Sequence, residues 1–181
     1  MPIEVKPLSA KTWDGFCDVM TRPGPRGGAG PGTVGCWCQW WRDRSRGGEP
    51  KQDRTRGLVD DGQHVGLVAF DGDEAVGWLS IAPREQHGQL EKSRQFSSDV
   101  PPDGWVIACV YVPPQSRGTG VSTALLEAAI EHARANGATH IDAYPAAITD
   151  YMGNFDQLLD FDFEPVKEVS VSRTLVRRTL A

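Results

Sequence analysis

The chain has 181 residues, 39% hydrophobic and 24% charged, which fits one domain with enough apolar material for a core. The formal net charge of −5 speaks against a nucleic-acid partner, which needs a basic excess on one face. There is no apolar run of about 18 residues and the start, MPIEVKPLSA, lacks the blocks of a secretory leader, so no membrane span is expected and the cytoplasm is the default compartment.

The charge is uneven. Just over half of the nineteen Lys and Arg lie in residues 1–60, which leaves an acidic remainder suited to a cationic substrate such as an amine. In a cytosolic chain the four cysteines, Cys17, Cys36, Cys38 and Cys109, are read as free thiols.

In chain order, Ile3–Pro7 suits a short strand. A helix from a Ser9 cap to about Met20 puts Trp13, Phe16, Cys17 and Met20 on one face. RPGPRGGAGPGTVG, residues 22–35, is a Gly/Pro loop, and residues 53–61 suit a short helix. Val65–Phe70 and Ala75–Ile81 form a hairpin about Asp71-Gly72-Asp73. Residues 83–95 are polar and partly helical, and 97–104 are a loop. Trp105–Val112 is apolar throughout, the pattern of a strand covered on both faces. Val121, Ala124, Leu125, Ala128 and Ala129 then repeat at helical spacing until Asn136-Gly137. His140–Tyr144 is a strand, Tyr151–Phe161 a short helix, and Phe163–Val171 and Thr174–Leu180 are closing strands. The fold class is α/β, one domain over 1–181, with an N-terminal helical region (1–64) before the core (65–181).

The segment PPQSRGTGVSTALLEA, residues 113–128, places two glycines and an arginine at the start of a helix. A helix start carries N–H groups without carbonyl partners and a partial positive charge, and glycine lets a ligand approach the backbone. Gln115, Arg117, Gly118, Thr119, Gly120, Val121 and Ser122 therefore outline a phosphate site. A P-loop needs a lysine that is absent, and the dinucleotide fingerprint needs a third glycine where Thr123 stands, so a nucleotide oxidoreductase is disfavoured.

QSRGTG, residues 115–120, matches the pattern Q/R-x-x-G-x-G/A, and here the sequence resembles the GCN5-related N-acetyltransferases, the GNAT family. The resemblance covers about residues 65–170. It extends over nearly the whole chain for a subgroup with a GCWCxWW segment, through GCWCQWW (35–41), VGWLSIAPRE (76–85), the turn, and Tyr151 to Gly153. It implies a mixed, mostly antiparallel twisted sheet with helices on both faces and a splayed parallel strand pair. The turn would cradle the pyrophosphate of acetyl-CoA, the co-substrate. The backbone of Val110 and Val112 would pair with the pantetheine arm and polarise the thioester carbonyl. An amine, on a small molecule or a peptide, would attack directly in a ternary complex. A homodimer is compatible with that family.

Many family members place an acidic tyrosine about four residues before a Gly-Phe pair. Here the pair is Asp162-Phe163 and the position holds Leu158, so Tyr151 is the next candidate acid, with Tyr144 or solvent as alternatives. Glu85 is the candidate base and His87 the alternative. Trp37, Trp40 and Trp41 are read either as wall of an acceptor pocket or as core, and Arg84 as an acceptor-side residue. Cys36-Trp37-Cys38 supplies two thiols where structural zinc wants four ligands, so no metal is expected. Cys109 is either a nucleophile or a packing residue. The rival class is a non-catalytic acyl-CoA-binding module or sensor.

Overall fold

The computed structural model describes residues 2–23, 30–32, 36–43, 50–96, 101, 103–146 and 151–181. Most of the loops expected at 22–35 and 97–104 lie outside them. The elements run β1 (Glu4–Pro7), α1 (Trp13–Thr21), α2 (Lys51–Asp60), β2 (Leu67–Asp71), β3 (Glu74–Pro83), α3 (Gly88–Lys92), β4 (Gly104–Tyr111), α4 (Val121–Ala135), β5 (His140–Ala143), α5 (Phe155–Asp160), β6 (Glu164–Ser170) and β7 (Arg173–Thr179). One seven-stranded sheet has the order β1-β2-β3-β4-β5-β7-β6. Only β4 and β5 pair in parallel; every other neighbouring pair is antiparallel. Among the described residues no helix is long and apolar enough to cross a membrane.

Two helices cover opposite faces of the sheet, and strand alternation decides which residues each one meets. Leu67, Ala69, Leu79 and Ile81 point to α4, where Val121, Leu125, Leu126 and Ala129 form the apolar stripe. Val68 and Trp78 point the other way, to Phe16, Val19 and Met20 of α1. A large apolar side chain buried this completely contributes about 2 kcal/mol. Gly77 sits under α4 because a Cβ there would come within 2.5 Å of Val121.

α1 starts at Trp13, four residues after the expected cap. The Ser9 N–H bonds to Thr12 Oγ1 at 2.9 Å, and that hydroxyl donates to the Pro7 carbonyl at 2.9 Å. These local bonds hold 9–12 as a turn, a competition that Ser and Thr side chains often win. The helix expected over Tyr151–Phe161 also shrinks. Gly153 has φ +103, and the Asn154 side chain caps α5 by accepting from the Gln157 N–H at 2.9 Å. Tyr151 thus stands in a turn.

β5 carries a buried charge. Asp142 is fully enclosed and accepts from Arg177 Nε at 2.7 Å and Nη2 at 2.9 Å across the β5–β7 ladder. Arg84, also buried, lies 3.9 Å from the same carboxylate and donates to Glu91, to the Tyr144 hydroxyl and to the Phe96 carbonyl. An enclosed ion pair adds little over an apolar replacement, but breaking it strands the remaining charge. Asp142→Ala is therefore expected to lower unfolding free energy by about 3–5 kcal/mol in urea titrations. A loss under about 1 kcal/mol would show that the two arginines do without it.

Candidate functional site

β4 and β5 pair from Gly104–Ile107 against His140–Ala143 and then part. The register on the other side of β4 shows why. Ser80 faces Cys109 and Ile81 faces Ile107, so Ala108 is a surplus residue with no partner on β3. Such a β-bulge bends its strand and raises its twist. Beyond it, β4 stays with β3 but leaves β5. In the gap, the Val110 N–H donates to the Tyr151 carbonyl at 2.6 Å.

The turn before α4 opens onto this gap. Gly118 and Gly120 have φ +77 and +85, conformations that favour glycine, and nothing lies within 4 Å of where their Cβ atoms would be. The glycines therefore serve the backbone path and leave open space above it. The Ala124 N–H, bonded to the Gly120 carbonyl at 3.0 Å, is the first to close a helical ring. The N–H groups of Val121, Ser122 and Thr123 precede it and have no intrahelical acceptor. Arg117 is exposed, and its Nε donates to the Val112 carbonyl at 3.1 Å, which fixes the cation beside the turn.

A groove of about 900 Å³ runs from the turn into the gap. Val110, Val112, Arg117, Gly118, Gly120, Val121 and Ser122 all line it. Thr119 does not, since its hydroxyl turns back to the Ser116 carbonyl at 2.8 Å, and Gln115, which is exposed, does not line it either. Asn154 and Gln157 line its far side, and Gln157 Nε2 donates to Ser122 Oγ at 2.9 Å.

A second pocket of about 400 Å³ shares Tyr151 with the groove as a lining residue. Tyr151 is half exposed and meets Tyr111 edge-on at 5.8 Å. Trp40, Trp41 and Met152 give the pocket apolar walls, and Cys36, Cys38 and Cys109 border it. The Cys36 thiol is pushed far up by its hydrogen bond with Cys38 and by burial, and burial pushes Cys38 up as well, so both are thiols at neutral pH. Trp37 and Cys38 have φ +35 and +54, a conformation rare for residues with side chains. Trp37 packs edge-on against Phe16 at 5.8 Å, and Trp78 Nε1 donates to Cys38 Sγ at 2.6 Å.

The acetyltransferase (GNAT) family model matches residues 35–151, about two thirds of the chain. The chain belongs to the GNAT family. No curated protein sequence matches it. Among solved structures it is similar to the PaiA N-acetyltransferase of Thermoplasma acidophilum in complex with coenzyme A, at 13% identity and a TM-score of 0.59 over 99% of this chain and 100% of that one. It is similar to the ribosomal-protein-alanine N-acetyltransferase of Brucella melitensis, at 18% identity and a TM-score of 0.57 over 98% and 99%. Ard1 of Thermoplasma volcanium gives 12% identity and a TM-score of 0.59 over 100% and 99%. The seven-stranded mixed sheet with its parallel β4–β5 pair is thus a GNAT fold.

Several residues expected at the GNAT site stand elsewhere. Arg84 is enclosed in the Asp142 seam, so it lines neither cavity. Glu85 is exposed in a short 3-10 turn past the end of β3, beyond the stretch that faces the gap, and also lines neither. Trp37 belongs to the core under α1, whereas Trp40 and Trp41 form the pocket wall. Tyr144 is fully buried with its hydroxyl held by Arg84 at 2.5 Å. Asn154 and Gln157 were not legible as groove residues, since their signal, an Asx cap three residues before a glutamine, is that of an ordinary helix start. Among the described residues no group of three or more His, Cys, Asp or Glu is placed to hold a metal ion.

His87, the alternative base, is enclosed beside Arg42 and Arg84. Burial foremost, then Arg42, pushes its pKa from 6.5 down to about 3. Below pH 6.5 the unfolded chain binds a proton that the folded ring refuses. Stability conferred by the neutral ring is therefore lost progressively as pH falls from 6.5 towards 3, by about 1.4 kcal/mol per unit for this one group. His64, His132 and His140 are lowered in the same direction, chiefly by burial. Urea titrations at pH 7.5 and 5.5 are expected to show a smaller acid loss for His87→Leu than for the parent chain. Equal losses would remove His87 as a source.

Proposed function

We propose that the protein moves an acetyl group from acetyl-CoA to an amine by direct attack in a ternary complex. The observation that carries this reading is that Tyr151 borders both cavities, one with a diphosphate-shaped turn at its end and the other apolar. Donor and acceptor entering from the two sides meet at that side chain, next to the β4 bulge.

The chain's residues fit the donor. The unbonded N–H groups at the start of α4, the partial positive charge there and the Arg117 guanidinium would hold the diphosphate. The thioester supplies an activated acyl carbon with thiolate as leaving group. The amine lone pair bonds to that carbon, the C–S bond breaks, the new ammonium loses a proton and the thiolate gains one. Tyr151, which lines both cavities, would give that proton. The sequence resemblance through GCWCQWW supports grouping the chain with relatives that share this segment, in which Trp40 and Trp41 wall the acceptor side.

A non-catalytic acyl-CoA-binding module is the second reading. The bond between the Val110 N–H and the Tyr151 carbonyl favours it, because the donor arm would have to displace that bond to pair with β4. Thiol release from acetyl-CoA across an amine panel separates the two. Binding without release on any amine selects the module.

Gly120→Glu puts a carboxylate at the turn and a side chain at φ +85. It is expected to weaken acetyl-CoA binding at least 100-fold in calorimetry, with a stability loss of only about 1–2 kcal/mol. Gly120→Ala, with the same backbone cost and no charge, should retain most of the affinity. Tyr151→Phe is expected to lower kcat about 10²-fold, the lower range for a general acid, while leaving the acetyl-CoA dissociation constant unchanged. Parent-like turnover would assign the proton to solvent.

A further inference from the structure

α5 sends one side chain across to the start of α4. Leu158 is wholly buried in the core cluster that holds Val121 and Leu125 of α4, and this anchors the short helix. Gln157, next to it, lines the groove together with Asn154. Asn154 Oδ1 accepts the Gln157 N–H at 2.9 Å, which places the residue in the first turn of α5. From there Gln157 Nε2 donates to Ser122 Oγ at 2.9 Å, with Thr123 Oγ1 at 3.5 Å from the same nitrogen.

A hydroxyl has one proton to give and two lone pairs to offer. Gln157 uses a lone pair of Ser122, so the Ser122 proton must point elsewhere, and it has no acceptor among the described residues. The Ser122 N–H, which precedes the first helical ring, has no intrahelical acceptor either. One residue therefore carries two unspent donors on the wall of the groove. Tyr111 is an independent sign that this groove is built for a polar guest. It is 6% exposed and lines the same cavity, and its hydroxyl has no hydrogen-bond partner among the described residues. Nearly enclosed hydroxyls are usually paired, so one left free in a cavity wall points to a ligand. Arg117 lines the groove too and supplies the charge.

Resting on the acyl-CoA reading above, we propose that Gln157 is a positioning residue for the donor. It holds the Ser122 hydroxyl so that this proton and the Ser122 N–H together grip one phosphoryl group of the diphosphate. Without the amide the hydroxyl turns freely through its staggered positions, and the ligand has to order it on binding. Gln157 orders it beforehand. A hydrogen bond to a charged oxygen is stronger than one between neutral groups, so this orientation has leverage on affinity. Because the contact is made at the diphosphate end, it bears on donor binding and leaves the chemical step alone.

Calorimetry of coenzyme A with the parent chain, Gln157→Met, Ser122→Ala and the double variant tests this. Gln157→Met is expected to weaken coenzyme A about tenfold, the scale of one charge-assisted hydrogen bond, and to have no effect when Ser122→Ala is already in place. Turnover should show the matching split. KM for acetyl-CoA rises by the same factor, while kcat and the acceptor KM keep their parent values. Gln157→Glu keeps the shape but sets a carboxylate, which can only accept, beside the phosphoryl oxygens. It should weaken coenzyme A more than Gln157→Met does, and the excess should shrink in high salt. Equal losses from Gln157→Met with and without Ser122→Ala would make the residue merely structural and overturn the inference. Unchanged affinity would overturn it as well, and tighter binding would show that the amide captures the Ser122 proton instead of directing it. Coupled binding of coenzyme A with no thiol release on any amine would uphold the inference and sink the transfer reading. A parent chain that binds no coenzyme A would sink both.

Discussion

The surplus residue Ala108 sets how far β4 can serve two neighbours at once. Up to Ile107 the strand is bonded on both sides, and its side chains are wholly enclosed. After Ala108 the two sides cannot be matched together, because the antiparallel register with β3 has advanced by one residue. The sheet keeps β3 and gives up β5. Backbone on the β5 side of β4 then needs other partners, and Tyr151 and the groove occupy that position. The turn before α4 lies at the same end because the helix must start where β4 finishes in order to return as the parallel strand β5.

Charges divide along the same line. In the paired half of the sheet, Arg177 and Arg84 share Asp142 in near-complete exclusion of water. In the open half, Arg117 and Lys51 have no carboxylate among the described residues. Cations of the first kind are completed by the protein. Those of the second kind border the two cavities, Arg117 at the groove and Lys51 at the smaller pocket, with Tyr151 lining both.

The sequence made the helix α4, the hairpin β2–β3 and the glycine turn legible, because each has a local signature. Apolar spacing of 3.6, a turn triplet between alternating runs, and glycines at positive φ act within a few residues. The bulge leaves no such mark, since Ala108 looks like any member of WVIACVYV. Arg84 and Glu85 are adjacent and polar, yet one is enclosed by Asp142 from β5, 58 positions later, and the other is exposed. No local pattern distinguishes them. The three tryptophans at 37–41 split between core and wall for a similar reason. The φ values of Trp37 and Cys38 reverse the chain there, and one-dimensional spacing does not report a reversal.

That reversal is held from behind. A left-handed backbone at two residues with side chains costs about 1 kcal/mol each, and Phe16 against Trp37 and Trp78 against Cys38 supply the compensation. The contour of the pocket wall is therefore a property of α1 and β3 as much as of the segment that forms it. The shape of this pocket can drift through substitutions at Phe16 or Trp78, which do not line it, as the segment relaxes towards an ordinary extended path and carries Trp40 with it.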